Sequence, residues 1–268
     1  KVGTNMYEFD YAKANSVDEA LDKLKAAEDG KILAGGMTLI PTLKQRLAMP
    51  SDLIDLGGID DMAGISVDGS GVTIGAMTRH AVVAASEDVQ KAIPALAVLA
   101  GGIGDPAVRH QGTIGGSVAN ADPAADYPAG VLGLNATVIT NEREIAADDF
   151  FVDLFETALS EEEIIKAVHF PIPDRAGYIK FPNPASGYAI VGVMVAKFGS
   201  NVRVAVTGAG GSAFRVAEME AALAANFSEN AVASISIPDG DLNSDIHASA
   251  EYRAHLVTVM AKRAVARA

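Results

Sequence analysis

Two glycine pairs carry the chemistry that can be read from this sequence. In "ILAGGMTLI" a short apolar run ends at Ala34, Gly35 and Gly36 bare the backbone, and Thr38 opens the next segment. In "GTIGGSVAN" Gly115 and Gly116 stand between Thr113 and Ser117. Glycine lets a chain turn sharply and lets another group touch the main chain. Hydroxyls beside each pair add donors. Successive exposed N–H groups bind anions, so two such loops can enclose a pyrophosphate with no lysine. Either pair alone also fits an ordinary turn. Together, bracketed by Thr or Ser in an acidic chain, they favour a nucleotide phosphate. The surrounding stretch "RHQGTIGGSVANADPAADYP", 109–128, reads as a loop with Asp122 and Asp126 beside the second pair.

Composition narrows the field. The 268 residues carry a formal charge of −13, which argues against a nucleic-acid surface or an anionic membrane surface. There is no cysteine, which removes disulfides, thiolate metal sites and ordinary iron–sulfur ligation from this chain. The five histidines, His80, His110, His169, His247 and His255, show no metal spacing and read as surface or packing residues. The acids of "SEEEI", Glu161 to Glu163, read as a solvated turn. No nucleophile elbow or Walker lysine is present, so no catalytic or metal-binding residue is assigned. No segment has the apolar length of a membrane span, and "KVGTNMYEFDYAKA" has no leader-like apolar region, so the cytoplasm is the expected location.

The elements that must hold the glycine pairs are of mixed type. "SVDEALDKLKAAEDG" opens with Ser16 three residues before Glu19, a capping box. "KILAGG" and "DLIDL" read as strands, with a helix over "TLIPTLKQRLAMP" between them, giving a β–α–β unit. Alternating runs around 68–71 and 141–143 predict hairpins. "SEDVQKAIPALAVLAGGIG" reads as helical, and "EEIIKAVHFPIP" as a strand ended by Pro171 and Pro173. Beyond Ala176, "GYAIVGVMVAKFGSNVRVAVTGAGG" predicts two antiparallel strands turning at 199–201. Helices over "FRVAEMEAALAANF" and "ASAEYRAHLVTVMAKRAVARA" follow, and the boundary is placed within 171–177.

A second nucleotide signature competes. "VRVAVTGAGGSAFRVAEMEAAL" runs from a strand through Gly208-x-Gly210-x-x-Ala213 into a helix, imitating the dinucleotide fingerprint. It raises the alternative of a self-contained NAD(P)-dependent dehydrogenase. Too little chain follows it for a full nucleotide half-domain pair, so a plain connection is preferred. A non-catalytic assembly subunit is a further alternative.

The segments "LAGGMTL", "IGAMTRH", "IGDPAVRHQGTIGGSVANADPAADYP" and "ASAEYR", in this order over about residues 31–253, resemble the FAD-binding medium subunit of molybdenum hydroxylases. That family includes the carbon monoxide dehydrogenase medium chain and the flavin domain of xanthine dehydrogenase. The resemblance implies an α+β fold. A two-subdomain FAD-binding module of the vanillyl-alcohol oxidase (PCMH) type would occupy 1–173, with subdomains of about 1–57 and 58–173. A C-terminal domain with an antiparallel sheet and helices would occupy 174–268. Carried over by position, Ile32, Leu33, Ala34, Gly35, Gly36, Met37, Thr38 and Leu39, with Thr113, Ile114, Gly115, Gly116 and Ser117, would line the FAD pyrophosphate. Ile103 would form an apolar wall, and Asp126 would accept ribose hydroxyls, with Asp122 capping a helix. Tyr178 and Lys180 would approach the isoalloxazine ring, although "FPNPAS" places Pro182 and Pro184 where relatives often have basic residues. Arg109, His110 and Thr78 are lesser candidates, the first two as loop braces or contacts. The resemblance also implies an oxidoreductase component in which FAD takes electrons from an iron–sulfur small subunit and passes them to an external acceptor. A molybdenum-cofactor large subunit would complete the unit, as a dimer of heterotrimers.

Overall fold

The computed structural model describes residues 6–268. Residues 1–5, which begin both the expected first module and the stretch read for a leader, lie outside the described residues. The order β1 (Asp10–Lys13), α1 (Val17–Ala26), β2 (Gly30–Leu33), α2 (Leu39–Lys44), β3 (Asp52–Asp55) builds a parallel sheet, β1-β3-β2. Parallel pairing follows from the helical crossovers between successive strands. Ser16 Oγ caps α1 by accepting the Glu19 N–H at 3.1 Å, while Glu19 reaches back to the Asn15 N–H at 2.9 Å. The second helix stops at Lys44, short of its expected end, and Arg46 turns left-handed at φ 59°.

Five antiparallel strands form the second sheet: β4 (Ile65–Val67), β5 (Val72–Gly75), β6 (Thr137–Thr140), β7 (Glu144–Ala146) and β10 (Ile165–Phe170), in the order β4-β5-β10-β6-β7. A small hairpin, β8 (Phe151–Asp153) with β9 (Glu156–Thr157), interrupts the run. Helices α3 (His80–Ala85), α4 (Glu87–Ala92), α5 (Pro94–Gly101), α6 (Pro106–Gln111), α7 (Ile114–Asn120) and α8 (Asp126–Gly133) fill the interval between β5 and β6.

Two expectations are corrected here. The single helix expected over 86–104 is two, because Pro94 has no N–H to donate and Ile93 before it is driven out of helical geometry. The expected loop over 109–128 is mostly helical. Asp105 caps α6 by accepting the Val108 N–H at 2.9 Å, with Pro106 in the first turn. Thr113 caps α7 by accepting the Gly116 N–H at 3.2 Å.

The C-terminal sheet, β11 (Arg175–Pro182), β12 (Ala189–Phe198), β13 (Asn201–Thr207) and β14 (Phe214–Arg215), is antiparallel in chain order. Side chains of β12 alternate between two cores. Val191, Val193 and Val195 join the helices Ala217–Ala225 and Ala250–Arg267, whereas Met194 and Ala196 join the larger core with α5 and α8. A strand buried on both faces needs an unbroken apolar run, as "AIVGVMVA" supplies. Among the described residues no helix is long and apolar enough to cross a membrane.

Gly177 brings β11 against the last helix: a Cβ there would lie 2.1 Å from the Ala264 carbonyl oxygen. Gly177→Val is expected to cost about 2–3 kcal/mol through overpacking, read as a lower urea midpoint at unchanged m.

Candidate functional site

The two glycine pairs meet in space. A Cβ on Gly35 would lie 2.1 Å from the Gln111 carbonyl oxygen and 2.8 Å from the Gly112 Cα, so the first pair abuts the end of α6. Gly36 follows at φ 70°, in the region that favours glycine. Gly115 packs on Ala76, whose carbonyl accepts its N–H at 2.8 Å. A Cβ on Gly116 would come within 3.5 Å of the Ala34 Cβ, so this face of α7 looks directly at the first pair.

A cleft of about 530 Å³ lies between these segments, a size usual for small-molecule sites. Ile32, residues 34–39, Ile103, Thr113, Gly115, Gly116, Ser117 and Asp126 line it. Leu33, Ile114, Tyr178 and Lys180 do not. Ile114 is wholly buried in the core, and the last two stand behind Asp126. Thr78 is buried, its hydroxyl held by Gly64, and its carbonyl accepts the Ile114 N–H at 3.0 Å. Arg109 is a brace, donating to the carbonyls of Ile103 and Gly104 at 2.8 and 3.1 Å. His110 is exposed and contacts the Pro106 carbonyl at 2.7 Å.

The donor balance separates the two pairs. Among the described residues, the N–H groups of Gly35, Gly36, Met37 and Thr38 have no protein acceptor. The first turn of α7 is already satisfied: Ile114 donates to Thr78, Gly115 to Ala76, Gly116 to the Thr113 hydroxyl and Ser117 to the Thr113 carbonyl. The first segment therefore offers free amides, and the second offers a bare wall opposite them. Backbone N–H groups without acceptors call for a ligand or water. The donor set and the side-chain-free wall fit a dinucleotide diphosphate.

Most charges around the cleft are compensated within the protein, Asp122 excepted. Lys31 pairs with Asp29 at 3.0 Å. Asp126 is 3% exposed; its Oδ1 accepts the Tyr178 hydroxyl at 2.6 Å, and Lys180 Nζ lies 3.0 Å from both carboxylate oxygens. Burial pushes the Asp126 carboxyl upward, opposed by Lys180. Asp122 does not cap a helix. Its Oδ1 accepts the Ala124 N–H at 2.9 Å in a local turn, and Ala125 precedes α8.

Several cleft residues were not anticipated, among them His80, Tyr188 and Glu163. His80, expected at the surface or in packing, is 4% exposed and lines the cleft. Burial, then the charge of Arg109, lowers its pKa to about 4, so the imidazole is neutral. Tyr188 also lines the cleft, and burial raises its phenol pKa. Glu163, expected to be solvated, has a buried side chain held by Arg143 at 3.0 Å through two nitrogens, by the Thr140 hydroxyl at 2.7 Å and by the Ser160 N–H at 3.0 Å. Arg143 first, with those donors, holds its pKa at about 2. Sequence offers a signal only for Glu163, as the last acid before the apolar strand "IIKAVHF".

The competing fingerprint has no nucleotide-binding geometry. Gly208 and Gly210 lie between β13 and the antiparallel β14, not at a strand-to-helix turn of a parallel sheet. The Gly208 N–H donates to the Pro123 carbonyl at 2.6 Å, and its own carbonyl accepts from Arg253 at 2.9 Å.

A family model described as the FAD binding domain in molybdopterin dehydrogenase matches residues 7–173. The chain belongs to this family. Among relatives of the FAD-binding family, the nicotine 6-hydroxylase medium subunit of Paenarthrobacter nicotinovorans is 37% identical over 272 residues, with 96% of each chain covered. The carbon monoxide dehydrogenase medium chain of Hydrogenophaga pseudoflava is 34% identical over 274 residues, again with 96% of each covered. A solved structure of carbon monoxide dehydrogenase from the same organism, lacking the Mo-pyranopterin moiety of the molybdenum cofactor, matches at TM-score 0.87 and 33% identity over 98% of each chain. The mixed helix-and-sheet fold is thus that of the FAD-binding family, and the chain is an FAD-binding component of a molybdenum hydroxylase-type oxidoreductase.

Glu163→Gln tests the buried carboxylate beside the cleft. A lowered folded-state pKa contributes stability above the unfolded value of about 4.3, and that stability is lost as pH falls toward about 2. The variant is expected to lose about 1.5–3 kcal/mol at pH 7, the range for hydrogen bonds to a charged group. Urea titrations of both chains should converge as pH is lowered through that window.

Proposed function

We propose that this chain binds FAD in the cleft between the glycine pairs and acts as the electron-transfer subunit of a molybdenum hydroxylase complex. It accepts electrons from a small subunit that carries iron–sulfur clusters and delivers them to an external acceptor. Substrate is hydroxylated at the molybdenum cofactor of a large subunit. The names of the relatives, as medium subunits and medium chains, support a three-chain arrangement, which we assign as a dimer of heterotrimers in the cytoplasm. The absence of cysteine from this chain is consistent with clusters on another one.

The reading is carried by one observation: four residues whose amides have no protein acceptor line a cleft shared with a glycine wall, and its cation, Lys31, is already paired. The free N–H groups of residues 35–38 would hold the diphosphate. Gly116, with Thr113 and Ser117, would let the dinucleotide lie against α7, and Ile103 would add apolar wall. Leu33, Ile114, Tyr178 and Lys180 would support the cleft from behind. The flavin, when bound, supplies reversible one- and two-electron chemistry. The residues here bind it, orient it and keep water from it, and no proton donor or acceptor of this chain is required. The module boundary at 173/174 and the vanillyl-alcohol oxidase type of fold belong to the same proposal.

The purified protein should show a flavin visible spectrum at one FAD per chain. Gly35→Ala, whose Cβ meets the Gln111 carbonyl, should weaken FAD binding about tenfold or more, equivalent to roughly 1.4 kcal/mol. Gly210→Ala, where the nearest side-chain atom would be 3.3 Å away, should leave it unchanged. Protein that takes up no flavin on reconstitution, or the reverse pattern in the two variants, refutes the proposal.

A further inference from the structure

Two carboxylates line the cleft four residues apart, and their hydrogen-bond accounts differ. Asp126 is sealed. Its oxygens are engaged by the Tyr178 hydroxyl at 2.6 Å and the Lys180 ammonium at 3.0 Å. That ammonium also donates to the carbonyls of Gly102 at 2.7 Å and Gly187 at 2.6 Å. Three acceptors use all three protons of a lysine. Gly187, at φ 75°, packs within 3.3 Å of Gly104 measured from its would-be Cβ, so the ammonium fixes two chain segments at the rim of the cleft.

Asp122 is open. It is half-buried, and Oδ1 accepts a single bond, from the Ala124 N–H. Among the described residues its Oδ2 has no partner, and it is not among the buried polar atoms closed off from the cleft. Tyr188 lines the same cleft but makes no hydrogen bond to Asp122 among the described residues; the Asp122 charge is one cause, after burial, of its raised phenol pKa. Burial raises the Asp122 carboxyl with only the Ala124 N–H to oppose it. An ionised carboxylate that is desolvated and short of donors gains most from a hydroxyl, because charge-assisted bonds are the strong ones.

We propose that Asp122 is the residue that accepts hydroxyl hydrogen bonds from the ribityl or ribose part of the bound dinucleotide, and that Asp126 acts as a positioning residue through Lys180. The inference rests on the flavin reading above. It moves the hydroxyl contact from the carboxylate that the sequence resemblance indicates to the one with a free oxygen.

The test uses the full chain with any subunits that co-purify, stripped of flavin. Dissociation constants are measured by flavin fluorescence for FAD and for analogues deoxygenated in the ribityl chain or at the ribose 2′ position. The wild-type protein should bind one of these analogues about tenfold more weakly than FAD. Asp122→Asn should bind FAD about tenfold more weakly than wild type and should no longer distinguish FAD from that analogue. Asp126→Asn should lower the melting temperature of the flavin-free protein yet keep the discrimination, a pattern that general unfolding does not produce. If Asp122→Asn does not fold, the wild-type comparison of FAD with both analogues still decides: equal affinities overturn the inference. Discrimination that survives in Asp122→Asn and disappears in Asp126→Asn also overturns it. Wild-type protein that binds no FAD refutes the flavin reading itself, a separate result.

Discussion

The contact between Gly35 and the Gln111–Gly112 backbone is the constraint on which the cleft depends. It joins the crossover of the parallel sheet to the helices that precede β6, two regions with no shared strand. A side chain at position 35 would have to push one of them away. Only at this separation does the bare face of α7 stand opposite the free amides of residues 35–38. The parallel sheet and the helix cluster are each ordinary; their approach to within backbone contact makes the site.

Electrostatics explains why the site is built from backbone. The chain carries −13 formal charges, and the cleft adds Asp122, Asp126 and Glu163 to its walls. Asp126 and Glu163 are matched by Lys180 and Arg143, and Lys31 is matched by Asp29. A diphosphate would find no spare side-chain cation among the described residues that line the cleft. Amide N–H groups carry partial positive charge without a counter-ion, and rigid turns aim them in advance.

Much of this was legible in the sequence. The β–α–β unit, both hairpins and the two long strands around 199–201 follow from periodicity and turn residues, and the structure places them where those signals fall. The glycine pairs pointed to a shared cleft. What could not be read was which amides were free, because Thr78 and Ala76, distant in sequence, satisfy the start of α7. The glycine-rich stretch 109–128 disguised its helices: low propensity argued for a loop, while Asp105 and Thr113 supplied caps that tertiary packing exploited. The family resemblance put Tyr178 and Lys180 near the ring; in the structure both bond to Asp126, a pairing 52 and 54 residues away that no local pattern encodes. Glu163 sat in a run of acids, set apart only by being the last before the apolar strand, and its partner Arg143 lies 20 residues away.

The central strand β12 has a mechanical consequence. Its alternate side chains belong to two different cores, and Tyr178 and Ala205 on its neighbours also face the larger one. A cut at the junction near residue 173 would therefore strip a wall from the first core as well as remove the second. The seam visible in topology is not a seam in cohesion. Heat or denaturant should dismantle both halves in a single concerted step, and neither half is a candidate for a free-standing fragment.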